Sequence, residues 1–318
     1  MKIHLGIIMD PISLINIKKD STFAMLLTAQ ERNYIIYYME SKDIFLKKNK
    51  IYGKTKYLTV INNQKKWFSF SNKKITLLST LNVILVRKDP PVNIEFIYLT
   101  YLLDKLKKEN VLIINNPTSL RNYNEKLLAT NFPEIIPKTL MSKKISEIKK
   151  FLHKYKDIII KPLDAMGGKS IFRIKYNDEN KQVILETMTN NGKKFCLSQE
   201  YVSDIKHGDK RILIIDNYIV PFCLTRIPQE GENRANLAVG GIGIVNKLSS
   251  QDYMIANQVL PFLKKKEIIF VGLDVIGNKL IEVNITSPTG ICQIEHFSNI
   301  SITKKLFFFI ENKIVDQN

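Results

Sequence analysis

Three oxygen-bearing side chains near the end of the chain could together bind a metal ion. The segment from Phe270 to Gly290 reads FVGLDVIGNKLIEVNITSPTG, which predicts a β-hairpin with a three-residue turn at 277–279. Because side chains alternate between the faces of a strand, Glu282 and Asn284 should share one face, with Asp274 opposite Glu282. Two carboxylates and an amide oxygen are hard ligands that suit Mg²⁺. A solvated hairpin face is the alternative, and the neighbouring segments must decide between the two.

A second group of candidate residues lies in the middle of the chain. Residues 157–163 predict a strand that delivers Lys161 at its end, and the loop DAMGGKS follows at 164–170. Two adjacent glycines allow backbone N–H groups to close over a triphosphate, although the G-x-x-x-x-G-K-[ST] spacing of a Walker P-loop is absent. The stretch 227–243, IPQEGENRANLAVGGIG, has no clear period and is typical of a lid over a reacting centre.

These residues need a scaffold, and the order of predicted elements supplies one. The first third predicts strands at 2–9, 34–39, 82–86 and 111–115 and helices at 20–32 and 94–109. The opening βαβ unit implies a parallel sheet. Its long first loop lacks G-x-G-x-x-G, which argues against a dinucleotide cofactor. Residues 43–61 are expected to form short strands and turns around Gly53. The RKDPP segment at 87–91 either presents cations at a strand end or forms a structural turn.

The pattern changes after residue 122, which we take as a domain boundary. The remainder predicts helices at 142–155, 252–265 and 301–312 and strands at 157–163, 171–174, 195–202, 212–216 and 218–224. Strands and helices alternate less regularly here than in the opening unit. A different fold is therefore expected for the second part of the chain.

The composition is that of an ordinary globular protein, with 45% hydrophobic and 25% charged residues among 318. The net charge of +18 allows nucleic-acid binding, but the lysines are scattered and no zinc-finger or RRM-like motif accompanies them. AT-rich coding drift, together with attraction for anionic small substrates, is the preferred interpretation. No segment approaches the roughly eighteen apolar residues that span a bilayer, so a cytoplasmic protein without a membrane partner is expected.

Cysteine and histidine offer no obvious chemistry. Cys196, Cys223 and Cys292 are far apart and odd in number, so they predict neither a disulfide framework nor a Cys-x-x-Cys metal site. The four histidines show no His-x-x-x-His pairing, which argues against zinc.

In this order the segments resemble the ATP-grasp carboxylate–amine ligases, most closely the prokaryotic glutathione synthetases. The segments that carry the resemblance are GIIMDPISLINIKKDST, VRKDPPVNIEFIYLTYLL, IIKPLDAMGGKSIFR, HGDKRILI and VGLDVIGNKLIEVNITSPT, which span essentially the whole chain. The resemblance implies an α/β chain, α+β overall. A Rossmann-like parallel-sheet domain that binds substrate (1–122) would precede an ATP-grasp fold of two α+β subdomains, the lid subdomain (123–202) and the catalytic subdomain (203–318).

The activity implied by the resemblance is ligation of γ-glutamylcysteine to glycine, through an acyl phosphate, with cleavage of ATP to ADP and phosphate. It also implies Mg²⁺, or Mn²⁺, as cofactor and a homo-oligomer, since tetramers occur in the family. Nucleic acid is not expected as a partner. The alternatives are another ATP-grasp ligase, selected by the first domain, or a non-catalytic ATP-binding protein.

The resemblance assigns roles to individual residues. The metal ligands would be Asp274, Glu282 and Asn284. The contacts to ATP would be Lys126, Lys161, Gly167, Gly168, Ser170, Gln199, Glu200, Tyr201, Val202 and Asp209. The catalytic pair would be Arg211 and Lys161, and the substrate contacts Asp20, Ser21, Arg87, Asp89 and Arg211. The lid would include Arg234, Asn236, Gly240 and Gly241. Departures from the family pattern at Glu230, Ala235, Ile242 and Cys292, and a milder one at Glu200, predict weaker lid motion and donor affinity.

Overall fold

The computed structural model describes residues 2–232, 234–235 and 240–317, and three β-sheets follow one another along this part of the chain. The strands of the first sheet are β1 (His4–Met9), β2 (Ile35–Met39), β3 (Ile44–Lys47), β4 (Lys50–Val60), β5 (Phe68–Leu77), β6 (Val83–Arg87) and β7 (Leu112–Ile114). Their order is β3-β4-β2-β1-β6-β7, with β5 paired to β4. The helices of this region are α1 (Ser21–Glu31), α2 (Ile94–Lys107), α3 (Pro117–Asn122) and α4 (Glu125–Leu128).

The parallel core of the first sheet confirms the predicted βαβ opening. Strand β1 pairs in parallel with β2 and with β6, and β6 pairs in parallel with β7. Helix α1 begins where predicted because the Asp20 carboxylate caps it by accepting from the Phe23 N–H. The expected turn around Gly53 is wrong. Gly53 lies inside β4, paired with Ile44 and Thr76, and a Cβ there would come within 3.0 Å of the Leu78 side chain.

The second sheet is antiparallel and has a small core of its own. Its strands are β8 (Thr139–Ser142), β9 (Asp157–Pro162), β10 (Phe172–Lys175) and β11 (Cys196–Glu200), in the order β10-β9-β11-β8. Helices α5 (Ile145–Tyr155) and α6 (Lys181–Thr189) pack on it through buried residues that include Ile148, Leu152 and Leu185. Ser142, predicted to open the helix, instead ends β8, and α6 was missed.

The third sheet carries the predicted metal hairpin. Its strands are β12 (Asp209–Ile215), β13 (Tyr218–Ile227), β14 (Ile242–Lys247), β15 (Phe270–Ile276) and β16 (Lys279–Asn284), paired antiparallel in the order β14-β13-β12-β15-β16. Helices α7 (Ser250–Lys265), α8 (Ile291–Ser298) and α9 (Ile302–Gln317) complete the chain. No described helix is both long and apolar enough to cross a membrane.

The first and third sheets share their hydrophobic cores, which holds one against the other. One cluster runs from Ile84 and Val86 in β6 to Val271 and Leu273 in β15. At the contact, the Asn115 side chain accepts from the Ile269 and Phe270 N–H groups and donates to the Phe270 and Ile285 carbonyls. Both ends of the β15–β16 hairpin are therefore tied to the first sheet by one buried amide.

Candidate active site

A cleft bordered by the second and third sheets collects most of the predicted site residues. It encloses about 1050 Å³ of empty space, part of it open to solvent. The predicted residues that line it are Lys126, Lys161, Gly167, Gly168, Gln199, Glu200, Tyr201, Val202, Asp209, Arg211, Arg234, Asp274, Glu282 and Asn284. Segments more than a hundred residues apart in the chain thus meet at one place.

The hairpin places Asp274 opposite Glu282, as predicted, but by a different route. The turn between β15 and β16 holds two residues, since Ile276 pairs with Lys279 and Val275 with Leu280. The pairing then shifts by one residue, so that Asp274 still faces Glu282. The extra residue on β16 is therefore a β-bulge at Ile281, and not a third residue in the turn as predicted.

Two arginines neutralise the Asp274 carboxylate. Arg211 donates to both of its oxygens, at 2.6 Å from Nε and 3.2 Å from Nη2, and Arg226 Nη2 lies 3.0 Å from Oδ1. Burial alone would raise the pKa of Asp274, but the two guanidinium charges outweigh burial and hold that pKa well below its usual range. Asp274 therefore remains ionised in the cleft.

Asp209, the predicted ribose contact, belongs to the same charge network, because Arg226 contacts both Asp209 and Asp274. Arg226 stands opposite it on β13 and donates to its Oδ2 at 2.5 Å, while Oδ1 is buried without a partner among the described residues. Burial raises the pKa of Asp209 to about 7, against the opposing effect of Arg226, and the charge of Asp274 adds to the rise. Asp209 itself lines the cleft, so a ligand hydroxyl could donate to its carboxylate.

Glu282 and Asn284 project from β16 into the same cleft. The Glu282 carboxylate lies 3.2 Å from Lys126 Nζ, which also donates to the Ala165 carbonyl at 2.6 Å. Asn284 donates through Nδ2 to the Gly272 carbonyl at 3.1 Å, and no described residue donates to its amide oxygen, which could therefore act as a ligand. Within the described part of the chain, Glu282 and Asn284 are the two predicted metal ligands that line the cleft without an arginine bound to them.

This donor set fits a hard divalent cation. The described residues contain no cluster of three Asp, Glu, His or Cys side chains suited to a metal. The candidate ligands are instead a carboxylate of Glu282, the amide oxygen of Asn284 and, shared with two arginines, a carboxylate of Asp274. Mg²⁺ commonly takes one or two carboxylates and completes its shell with water and substrate phosphates, which such a sparse oxygen set allows.

Lys161 and the glycine loop form the opposite side of the cleft. Burial lowers the pKa of Lys161 to about 8, partly offset by the charge of Glu282. Gly167 and Gly168 have positive φ angles of 65° and 78°, a region that favours glycine, so the loop can turn its backbone toward the cleft. Ser170 does not line the cleft, whereas the neighbouring Lys169 does.

The end of β11 lines the cleft next to apolar residues that include Ile159 and Ile205. Gln199 is buried and the three residues that follow, Glu200, Tyr201 and Val202, line the cleft beside it. The guanidinium of Arg173 lies 3.5 Å from the centre of the Tyr201 ring and fixes that ring from outside. A flat heteroaromatic ring would find apolar side chains and backbone polar groups at this edge.

A second cavity of about 840 Å³, again partly open, adjoins the first. It shares Glu125, Arg211 and Asn284 with the cleft and is lined by Asp89 and by the segment 286–290. The cavity thus connects the predicted phosphate site to the edge of the first sheet, where a second substrate could bind.

Three of the predicted substrate residues stand behind this second cavity and do not line it. Arg87 donates to Thr22 Oγ1 and to the Pro288 carbonyl, and its Nη1 is buried without a partner among the described residues. Ser21 Oγ accepts from the Ile291 N–H, and Asp20 caps α1. Of the predicted set on the first domain, Asp89 alone lines the cavity.

The predicted lid lies between β13 and β14. Arg234 lines the cleft, and its Nη1 donates to the Gly168 carbonyl at 3.3 Å, which joins this segment to the glycine loop. Gly240 and Gly241 come directly before β14 and are not among the residues that line the cleft. Asn236 lies outside the described residues. The predicted lid end at 242–243 is wrong, because these residues belong to β14.

Sequence reasoning missed two residues of the site. Arg226 could have been found by extending the predicted strand at 218–224, because the hairpin register then sets it opposite Asp209. Glu125 precedes Lys126 and lines both cavities, but no local pattern indicates that it reaches β16. Its position is a consequence of the tertiary fold.

The chain matches families and proteins of known activity. The family models described as prokaryotic glutathione synthetase, N-terminal domain, and prokaryotic glutathione synthetase, ATP-grasp domain, match residues 3–121 and 125–299. Glutathione synthetase of Buchnera aphidicola subsp. Acyrthosiphon pisum (strain APS) is 54% identical over 314 residues, which are 99% of this chain and 98% of that protein. Glutathione synthetase of Vibrio vulnificus (strain YJ016) is 50% identical over 317 residues and all of both chains.

A solved structure supports the fold. The ATP-grasp ligase PsnB complexed with minimal precursor, Mg and ADP has a TM-score of 0.62 over 98% of each chain, at 11% sequence identity. The fold, together with the matched ATP-grasp family model, defines an ATP-grasp ligase, an enzyme that couples ATP cleavage to joining a carboxylate and an amine. Within that class the chain belongs to the prokaryotic glutathione synthetase family, and it catalyses ATP-dependent glutathione synthesis with a divalent metal ion. The resemblance, fold class and activity expected from the sequence are confirmed.

Proposed function

We propose that ATP lies along the cleft with its adenine at the end of β11 and its phosphates between Lys126, Lys161 and the glycine loop. The ribose hydroxyls would donate to Asp209, whose Oδ1 has no other partner among the described residues. The two lysines supply positive charge, and the Gly167–Gly168 backbone supplies N–H donors. Mg²⁺, rather than Mn²⁺, is the proposed ion.

When bound, the metal would supply positive charge that neutralises the charge developing on the phosphates. Glu282 and Asn284 would hold it directly. Asp274 would contribute only by sharing its oxygens with Arg211 and Arg226. We therefore assign Asp274 first to the positioning of the two arginines and second to the metal.

The proposed chemistry has two steps. An oxygen of the cysteinyl carboxylate of γ-glutamylcysteine attacks the γ-phosphorus of ATP, ADP leaves, and an acyl phosphate forms. The glycine ammonium loses a proton to solvent, its amine attacks the carbonyl carbon, the attacking nitrogen gives up a second proton, and phosphate leaves with the electron pair of the C–O bond. Both steps concentrate negative charge, so Arg211, Lys161 and Lys126 contribute mainly by electrostatic stabilisation. No protein nucleophile is required.

Two features support the placement of the acid substrate in the second cavity. Arg211 lines both cavities and so stands where the reacting carboxylate would meet the γ-phosphate. Asp89 offers a carboxylate at the far side, suited to an ammonium group of the peptide. The other three residues would act indirectly. Arg87 and Ser21 would hold the 288–291 segment in place, and Asp20 would cap α1.

The single observation that carries the proposal is that one carboxylate hairpin, two lysines and a glycine loop line one cleft whose far end opens into a second cavity. An ADP-release assay with γ-glutamylcysteine and Mg²⁺, offering glycine and alanine in turn, tests it. We expect ADP release and peptide formation to need both substrates and to favour glycine. Equal use of alanine, or faster turnover with a different acid, would point to another ATP-grasp ligase.

The remaining expectations stay proposals. We retain the division into 1–122, 123–202 and 203–318, a homotetramer, a cytoplasmic location, and small molecules as partners in place of nucleic acid. Sedimentation at several protein concentrations tests the tetramer. Retention on DNA that falls steeply with salt would contradict the proposal that nucleic acid is not a partner.

A further inference from the structure

Glu125 connects helix α4, which carries Lys126, to the end of strand β16, which carries the candidate metal ligands. It is the first residue of α4, and the next residue, Lys126, reaches toward Glu282. Its own carboxylate reaches the end of β16, immediately after the candidate ligand Asn284. The short helix that carries the phosphate lysine and the strand that carries the metal ligands are therefore joined through this one side chain.

The connection is made by one oxygen of the carboxylate. Glu125 Oε1 accepts from the Ile285 N–H at 2.7 Å, from the Thr286 N–H at 2.8 Å and from Thr286 Oγ1 at 2.8 Å. Two successive backbone N–H groups are thereby fixed just beyond Asn284. Since the position of a backbone determines where its side chains point, these bonds constrain how Asn284 faces the cleft.

Burying the Glu125 carboxylate costs free energy, which its hydrogen bonds must offset. Burial raises the pKa of its carboxyl, and the nearby charge of Glu282 raises it further. Hydrogen bonds from residues 285 and 286 act in the opposite direction. An apolar side chain would avoid this cost but would leave the two N–H groups without their acceptor.

We propose that Glu125 is a positioning residue that holds the metal-binding end of β16 in register with Lys126. This inference rests on the proposed metal site and adds a residue to it. Glu125 acts through Asn284 and Lys126 and does not itself need to touch the metal or the substrates. Its required feature is an acceptor oxygen at Oε1, which glutamine also has and alanine lacks.

Binding of Mn²⁺ to the protein with ADP present, followed by electron paramagnetic resonance, tests the inference without relying on turnover. Glu125→Ala should weaken Mn²⁺ binding by about 10–100-fold, the usual effect of losing a residue that orients a metal ligand. Glu125→Gln should restore most of the affinity because it keeps the acceptor. Thr286→Val, which removes one of the three bonds, should weaken binding by roughly fivefold.

Thr28→Val is the matched control for Thr286→Val. Thr28 is also buried, and its hydroxyl donates to Thr303 at 2.9 Å, between α1 and α9 and away from both cavities. It should lower stability without changing Mn²⁺ binding. If Glu125→Ala fails to fold, the test is the comparison of Mn²⁺ affinity between Thr286→Val and Thr28→Val.

Three results separate the possibilities. Unchanged Mn²⁺ binding in Glu125→Ala or in Thr286→Val would overturn the inference and leave Glu125 as an anchor of the fold. Binding as weak in Glu125→Gln as in Glu125→Ala would also overturn it, because charge rather than acceptor position would then matter. Unchanged binding in Glu282→Gln and Asn284→Ala would instead refute the proposed metal site itself.

Discussion

Asp274 and Glu282 stand directly opposite each other on β15 and β16, yet their carboxylates have different partners. Asp274 is bound by Arg211 and Arg226, whereas among the described residues Glu282 forms its ion pair with Lys126. Paired side chains on one sheet face would repel each other if both were bare carboxylates. The cations around Asp274 remove that repulsion, and Glu282 is left as the carboxylate available to a metal.

Glu282→Gln should abolish ligation and leave the fold near wild-type stability. The change removes a proposed metal ligand, so the loss of activity should exceed the roughly 100-fold seen when a residue that only orients a ligand is lost. Gln still accepts from Lys126 and relieves the repulsion with buried Glu125, so we expect the free energy of unfolding to change by no more than about 1 kcal/mol. Urea denaturation and an ADP-release assay measure the two effects, with the exposed Glu147→Gln as control. Full activity would rule out the assigned site.

Asp274→Asn should behave differently and destabilise the protein. Its carboxylate is the shared partner of two buried guanidinium groups, and breaking a buried ion pair costs about 3–5 kcal/mol. We therefore expect a clearly lower urea midpoint together with lost activity. A variant as stable as Glu282→Gln would contradict the role of Asp274 in holding Arg211 and Arg226.

The buried Lys161 predicts a pH-dependent affinity for ATP. Its pKa is lowered to about 8 from 10.5, so the unfolded chain binds more protons between these values and the contribution of this lysine to stability rises with pH across that window. Bound phosphates favour the ammonium form. ATP binding near about pH 9 should therefore take up a proton, and affinity should fall as pH rises above about 8.

Calorimetric titration of ATP in two buffers of different ionisation enthalpy measures this proton. Lys161→Arg provides the control, because a guanidinium stays charged throughout the range and should take up none. Identical heats in both buffers for the unaltered protein would show that Lys161 is already protonated in the empty site.

Arg234→Ala should uncouple ATP cleavage from peptide synthesis. Arg234 joins the segment between β13 and β14 to the Gly168 carbonyl, and loss of that contact should admit water to the acyl phosphate. The ratio of phosphate released to glutathione formed should rise above one. Arg121→Ala, which removes the Arg121–Asp104 ion pair far from the cleft, should leave the ratio unchanged. A ratio that stays at one in Arg234→Ala would argue against the lid role.

Local sequence patterns were sufficient for much of the site. Alternation along a strand depends only on backbone geometry, so the faces of Glu282 and Asn284 followed from their spacing. The Asp20 cap and the glycine loop are likewise properties of a few neighbouring residues. The wrong prediction at Gly53 has a tertiary cause, since packing against Leu78 leaves no room for a side chain there.

Contacts between distant segments were decided by the tertiary structure alone. The register of β12 with β13 brings Arg226 to Asp209 and Asp274, and the packing of α4 on β16 brings Glu125 to residues 285 and 286. Contact with the Pro288 carbonyl likewise holds Arg87 behind the second cavity and not at its surface. The types of residue and their local conformation were encoded in short stretches. Which carboxylate meets which cation depends on long-range packing, because such pairs form only when segments far apart in the chain are brought together.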